Sequence, residues 1–164
     1  MTDTITPEQR RKNMQAVRSR DTEPEKTVRR GLHGKGFRYR LGTSVCGMTP
    51  DIALPKWKTV IFVHGCFWHR HEGCILAARP KTHTSFWEEK FKRNRKRDSR
   101  QITELIAAGW RVCVVWECSL KKGSSGTIEK ITDFIRNGTM PLWISDSSDG
   151  SEHQISAPGS RHSE

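Results

Sequence analysis

The alternation of apolar and polar positions divides the chain into a short series of helices and strands. Residues 7–18 carry a basic helical pattern, with Thr6 as cap and Pro7 in the first turn. A second helix is expected from Thr22: Thr22-x-x-Glu25 has capping-box spacing, Pro24 falls in the first turn, and Gly34 and Gly36 lie past its end. The segment 37–41 (FRYRL) alternates like a half-exposed strand and leads into a loop through Gly47. PDIALP (50–55) and KTVIFVHG (58–65) predict a β-hairpin turning at Lys56–Trp57. Its second arm is apolar almost throughout, as a central strand is. A turn-rich insertion, CFWHRHEGC, occupies 66–74. A long helix then runs from about Thr84 to Ala108 and stops at Gly109; WRVCVVWE (110–117) forms another buried strand, and residues 127–138 an amphipathic helix closed by Gly138. The order ααβββ-αβα predicts a single-domain α/β sandwich with a mixed central sheet over residues 1–144. Residues 145–164 are polar and Ser/Gly-rich with little to bury, and are expected to be a disordered acidic tail.

Charge sharpens this outline. The chain of 164 residues has 29 Lys and Arg against 18 acids, a net charge of +11. The last twenty residues hold one Arg against four acids, so with −3 there the body carries +14. Such a body points to a polyanionic partner, of which nucleic acid is the commonest. No apolar run approaches the ~20 residues that span a bilayer, and the polar start lacks a secretory leader's apolar stretch, so a cytoplasmic protein is expected. Five unevenly spaced cysteines argue against a disulfide framework and, beside histidine, for metal.

Two constellations carry candidate chemistry. Cys66, His71 and Cys74 fall within nine residues, and Cys118 is supplied from the end of a later strand. Thiolate and imidazole are the donors of a four-coordinate zinc site. His69, two residues from His71, competes as ligand on local spacing alone; Cys113, inside an apolar strand, belongs to the core, and Cys46 is left over. The second constellation joins Glu25, Asp51, His64 and His69. Asp51 heads a strand, where a carboxylate can hold Mg²⁺ through oxygen or simply cap a turn. The neighbouring strand delivers His64 and the histidine-rich loop nearby, and histidine titrates where it can take a proton from water. Asp98 lies on the apolar stripe of the long helix with Trp87, Phe91, Asn94, Ile102 and Leu105, and a carboxylate there needs a partner, either a cation or a site histidine. The basic runs QRRK and KFKRNRKRDSR suit phosphate contacts. Phe67 and Trp68 in the insertion, with Phe86 and Trp87 at the start of the basic helix, can wedge into a base step or pack around the zinc loop. Met14 and Val17 are spaced as ordinary helix-packing residues.

These segments resemble a known family. RRKNMQAVRSRDTEPE, TPDIALP, VIFVHGCFWHRH, GC, SFWEEK and GWRVCVVWEC, in order from about residue 8 to 137, are similar to the very short patch repair (Vsr) endonucleases, and HGCFWH is the most specific of them. The resemblance implies the fold of type II restriction endonucleases. It also implies a nick on the 5′ side of the mispaired thymine in a T·G mismatch left by 5-methylcytosine deamination. It implies Asp51 as essential Mg²⁺ ligand, His69 as general base, and Glu25, His64 and Asp98 as supporting residues, Asp98 orienting a histidine. Cys66, His71, Cys74 and Cys118 would hold a structural Zn²⁺. Phe67, Trp68 and Trp87 would enter the duplex beside the mismatch, with Met14 inserting from the other groove. The partners implied are mismatched double-stranded DNA, with functional links to a cytosine-5 methyltransferase and mismatch-repair proteins, and a monomer is expected. The wider nuclease superfamily has an acid-x-Lys pair where this chain has FVHG, so Val63 can offer only its backbone carbonyl to Mg²⁺. The same residues would serve a matched-site restriction-type endonuclease. A non-enzymatic zinc-stabilised DNA-binding protein would leave Asp51 and His69 without a task.

Overall fold

The computed structural model describes residues 6–16 and 20–146, with side chains of 14–16 set aside. Its elements run α1 (Pro7–Ala16), α2 (Glu23–Gly34), β1 (Ile52–Leu54), β2 (Thr59–His64), α3 (Thr84–Ala107), β3 (Arg111–Trp116), α4 (Glu117–Asn137) and β4 (Leu142–Ile144). The four strands form one mixed sheet in the order β1-β2-β3-β4. The β1–β2 hairpin is antiparallel, with Ile52 opposite Ile61, while β2–β3 and β3–β4 are parallel. Parallel pairing requires a crossover between strands. The insertion at 66–74 and α3 supply the first and α4 the second.

Strand periodicity sorts the core into two layers. Ile61, Val63, Cys113 and Val115 face one side and pack with Val28 and Leu32 of α2 and Ile128, Ile131 and Ile135 of α4. Val60, Phe62, Val112 and Val114 face the other, against Ile102 and Leu105 of α3. The two central strands are therefore buried on both faces, which is why their sequences are unbroken apolar runs. Gly31 lies at the α2–α4 contact, and a Cβ there would come within 2.6 Å of Ile128 Cδ1. Gly31→Val is accordingly expected to cost ~1–3 kcal/mol by overpacking, read as a lowered denaturant midpoint. Arg111 ties the layers together at the rear. Its guanidinium donates to the carbonyls of Trp57, Phe134, Ile135 and Gly138 at 2.7–3.2 Å, joining the hairpin turn to the C-terminal end of α4. A cation suits that position, because the last helical carbonyls lack intrahelical donors.

Several expectations need correction. Residues 37–41 form no strand; Arg40 makes a single bridge to Ala53, while Phe37 turns into the core. Gly34 is the last residue of α2 rather than the residue beyond it. The helix expected at 127–138 is the second part of α4, which starts at Glu117 and is interrupted by non-helical backbone at Gly123. Cys118 thus sits in the first turn of a helix, not at the end of a strand. The fourth strand, β4, was not anticipated. The described chain also runs two residues into the expected tail. Asp146 is docked there, its N–H on Cys118 Sγ at 3.5 Å and its carboxylate on Lys122 at 2.8 Å. The remainder of the tail, 147–164, lies outside the described residues. None of the described helices is long and apolar enough to cross a membrane.

Candidate active site

The C-terminal end of β2 opens into a groove of about 1080 Å³, bordered by the start of α2, the head of β1, the loop after β2 and one flank of α3. Glu25, Asp51, Val63, His64, Trp68, His69 and Asp98 all line it. One arm is built by the α2 cap. Thr22 Oγ1 accepts the Glu25 N–H at 3.4 Å and donates to Glu25 Oε1 at 3.1 Å, while Glu25 Oε2 takes the Asp21 N–H and the Arg29 guanidinium, each at 3.0 Å. Glu25 is buried, and Arg29 also pairs with Asp21 at 2.5 Å, so a single guanidinium offsets two acids beside the groove.

Asp51 stands one residue ahead of β1, and its Oδ2 accepts the Val63 N–H at 2.7 Å. A strand residue directs its N–H and C=O to the same edge, so the Val63 carbonyl leaves toward Asp51 as well. Burial raises the Asp51 carboxyl to about 6 and Glu25 adds to the rise, against the Val63 N–H, His69 and Arg29. A carboxylate so placed gains from a bound cation.

Beyond Gly65 the chain winds into a tight turn, with His69 N–H on the Gly65 carbonyl at 3.1 Å and His71 N–H on the Cys66 carbonyl at 3.0 Å. That turn sends the two histidines to opposite sides. His69 folds back over His64, the rings parallel at 3.9 Å, and its Nδ1 meets Asp98 Oδ2 at 2.5 Å. Burial pushes the Asp98 carboxyl up, but the hydrogen bond and charge of His69 outweigh it and hold the group below the ordinary value. An ionised Asp98 fixes the proton of His69 on Nδ1 and leaves Nε2 as acceptor. Burial lowers His64 to about 3, with His69 contributing in the same direction, so His64 stays neutral beneath its neighbour.

His71 goes the other way and stacks on Trp116 at 4.3 Å. Its Nδ1 lies 3.7 Å from Cys66 Sγ and 3.5 Å from Cys118 Sγ, and with Cys74 the four donor atoms fall within 4.8 Å of one another. Donors 2.0–2.3 Å from a tetrahedral centre are roughly 3.3–3.8 Å apart, so this donor set fits zinc. Burial raises the Cys66 thiol, and a cation is what such sulfurs need to ionise. The competition between His69 and His71 is thereby resolved geometrically: His71 joins the cysteines and His69 faces Asp98.

Beside the groove, which Trp68 lines, the aromatic residues form one cluster. Phe67 meets Trp68, Trp87 and Phe91 edge-on at 5.1–5.4 Å, and Trp68 lies 5.9 Å from Trp87. Phe67, Trp68 and Trp87 are half-buried, propped from below by buried Phe91. The side chain of Met14 lies outside the described residues.

The family model described as DNA mismatch endonuclease Vsr matches residues 2–75. The DNA mismatch endonuclease Vsr of Escherichia coli K12 is 40% identical over 92% of this chain and 91% of its own length. The chain belongs to the Vsr family of DNA mismatch endonucleases. Another relative, the type II nicking enzyme V.XorIIP of Xanthomonas oryzae pv. oryzae, is 51% identical over 73% of this chain and 88% of that protein. The solved catalytic domain of homing endonuclease I-Bth0305I, 22% identical, overlays with a TM-score of 0.48 over 70% of this chain and 94% of that one.

In this Vsr-family chain the fold brings four further residues to the site, two of them, Arg29 and Glu117, not singled out by the sequence, and two, Lys90 and Asn94, given there only as part of a basic run and a helical stripe. Arg29 was signalled only by its i+4 spacing from Glu25. Lys90 places its ammonium 5.0 Å from the Trp68 ring and 5.5 Å from that of Trp87. Asn94 had been noted merely as a stripe position, yet its amide donates to the Trp68 carbonyl at 3.0 Å. Glu117 accepts the Cys66 N–H at 3.4 Å and pairs with Lys121 at 3.1 Å, linking the metal loop to the groove. No local pattern marks it.

Proposed function

We propose that the protein nicks duplex DNA on the 5′ side of the mispaired thymine in T·G mismatches, with Asp51 and His69 at the centre of the chemistry. The observation that carries this reading is the His69–Asp98 pair in the same groove as Asp51, with Trp68 of the aromatic cluster in its lining. His69 Nε2 accepts a proton from the attacking water, and Asp98 holds the ring and stabilises the imidazolium. His64, neutral and stacked below, supports the ring without adding a second positive charge. Asp51 and the Val63 carbonyl would hold Mg²⁺, with Glu25 nearby; bound there, the ion offsets charge developing on the scissile phosphate. The products are a 5′-phosphate and a 3′-hydroxyl. Cys66, His71, Cys74 and Cys118 would hold Zn²⁺ and fix the loop bearing His69. The type II restriction-endonuclease topology belongs to the same reading. So do action as a monomer in the cytosol and functional links to a cytosine-5 methyltransferase and mismatch-repair proteins.

Selectivity follows from stacking energetics. Phe67, Trp68 and Trp87, already packed as a unit, would enter the duplex with little reordering, while Met14 would insert from the opposite groove. Unstacking an ordinary step takes a few kcal/mol, and a wobble pair is already displaced and more weakly stacked. Nicking of otherwise identical duplexes with T·G or T·A tests this, and the T·G duplex is expected to be cut at least tenfold faster. Trp68→Ala should reduce that ratio far more than it weakens salt-sensitive binding to matched DNA. Equal rates on the two duplexes would favour a matched-site restriction enzyme instead.

A further inference from the structure

The long helix α3 presents two different flanks to solvent. Lys90, Asn94, Arg97, Asp98 and Gln101 line the catalytic groove on one side. Glu88, Lys92 and Arg95 line a separate cleft of about 380 Å³ on the other, with Trp87 and Phe91 also in its wall. The aromatic cluster is therefore the partition between groove and cleft. The opposite wall of the cleft comes from the loop before α3, including Arg79 and Pro80, and from Arg70.

Arg70 builds this cleft. Its backbone is left-handed, its guanidinium lies 4.6 Å from the Phe91 ring, and it donates to the Ala77 carbonyl at 2.8 Å. It thus fastens the zinc loop to the segment leading to Arg79. Lys92, Arg95 and Arg79 are exposed, and none of the three makes an ion pair among the described residues. Glu88 is the one acid in the lining. Three cations without an ion pair among the described residues line this concave surface, Lys92 and Arg95 on the same helical flank as its one carboxylate and Arg79 on the facing wall, and together they form a site for a polyanion. Nearby, Arg10 of the basic helix α1 reaches Thr82 Oγ1 at 3.3 Å, which brings a second basic element to the same side.

We propose that this cleft holds a backbone phosphate of the DNA on the far side of the aromatic cluster from the scissile phosphate, gripped by Arg79, Lys92 and Arg95. This rests on the DNA-nicking reading given above. A duplex parted by the cluster must continue past it on both sides. The groove takes the strand to be cut, and the cleft fixes the register of the part beyond. Phosphate contacts of this kind position the protein without reading bases.

The test combines Arg79→Ala, Lys92→Ala and Arg95→Ala in one variant. The control is a variant losing equal charge from exposed positions elsewhere, Arg30→Ala, Lys56→Ala and Lys130→Ala. Thermal melting establishes that both fold as the parent does. Each neutralised phosphate contributes about 0.9 to the slope of log affinity against log salt. The cleft variant is expected to lose about one to two from that slope, and the control less than half as much. A scan of duplexes with single methylphosphonates should then find a position, across the mismatch from the nick, that weakens wild-type binding about fivefold or more and leaves the cleft variant's binding unchanged. Equal slopes in the two variants, or no position where the penalty disappears, would overturn the proposal. The scan runs on matched and T·G duplexes alike. Loss of mismatch preference with the cleft coupling intact would therefore count against the functional reading and not against the cleft.

Discussion

Asp51→Ala and His69→Ala are each expected to lower single-turnover nicking of a T·G duplex by ~10²–10⁴-fold, the scale of losing a general base. Removing the Asp51 carboxylate takes away the acceptor of the Val63 N–H and the anion that would hold Mg²⁺ in the proposed reaction, so the Mg²⁺ concentration at half-maximal rate is expected to rise as the rate falls. Removing the His69 ring leaves no effective base in its place, since burial makes His64 too weak a base to take the proton. Asp98→Asn is the sharper variant. An amide can donate to Nδ1, which moves the imidazole proton to Nε2 and blunts the base while keeping the ring in place. Its rate should fall with little change in Kd, because Asp98 makes its hydrogen bond to His69 rather than contributing to the basic surface. A near wild-type rate for Asp51→Ala or His69→Ala would remove them from the chemistry.

Metal analysis should give about one Zn per chain, and stripping it should cost the protein its stable fold around the loop. The physical reason is the poverty of packing there. Cys66, Ala77 and Cys118 form a small buried cluster of their own, supported by Cys74, Leu76 and Trp116, apart from the two main layers. That cluster is small, and apart from Phe67 and Trp68, which pack outward on Trp87 and Phe91, the insertion has little apolar surface to hold it. Where metal ligation holds the structure, its binding free energy is folding free energy. Cys118→Ala should lose zinc, lower the melting temperature and abolish nicking together, since the turn that carries His71 also carries His69. A zinc-free wild-type protein with undiminished stability and activity would sink the assignment.

How far the sequence reached can be stated residue by residue. The apolar runs within 58–65 and 110–117 marked two strands, observed at Thr59–His64 and Arg111–Trp116, because central strands between helical layers have no polar side. The capping box at Thr22 and Glu25 gave the start of α2, and Gly109, at a positive φ, the stop after α3. The spacing of Cys66, His71 and Cys74 marked three donors that one turn can bring together, and the fold gathers them with Cys118.

Other features were decided only in three dimensions. β4 has three residues, two of them half-buried, too short for a period to register, and it exists because the edge of β3 needs a partner. The segment 37–41 alternates like a strand, but its Phe37 is drawn into the α2–α4 layer and only Arg40 reaches β1. Which histidine joins the cysteines depended on the direction of the turn after Gly65. Similarly, the place of Asp98 on its apolar stripe called for a partner, a cation or a site histidine, without deciding between them. Helical periodicity could say that the carboxylate faced inward, but His69 lies 29 residues away in the chain. Local pattern reports what each element must bury. The pairing of charges between elements is fixed only once the sheet has brought their ends together.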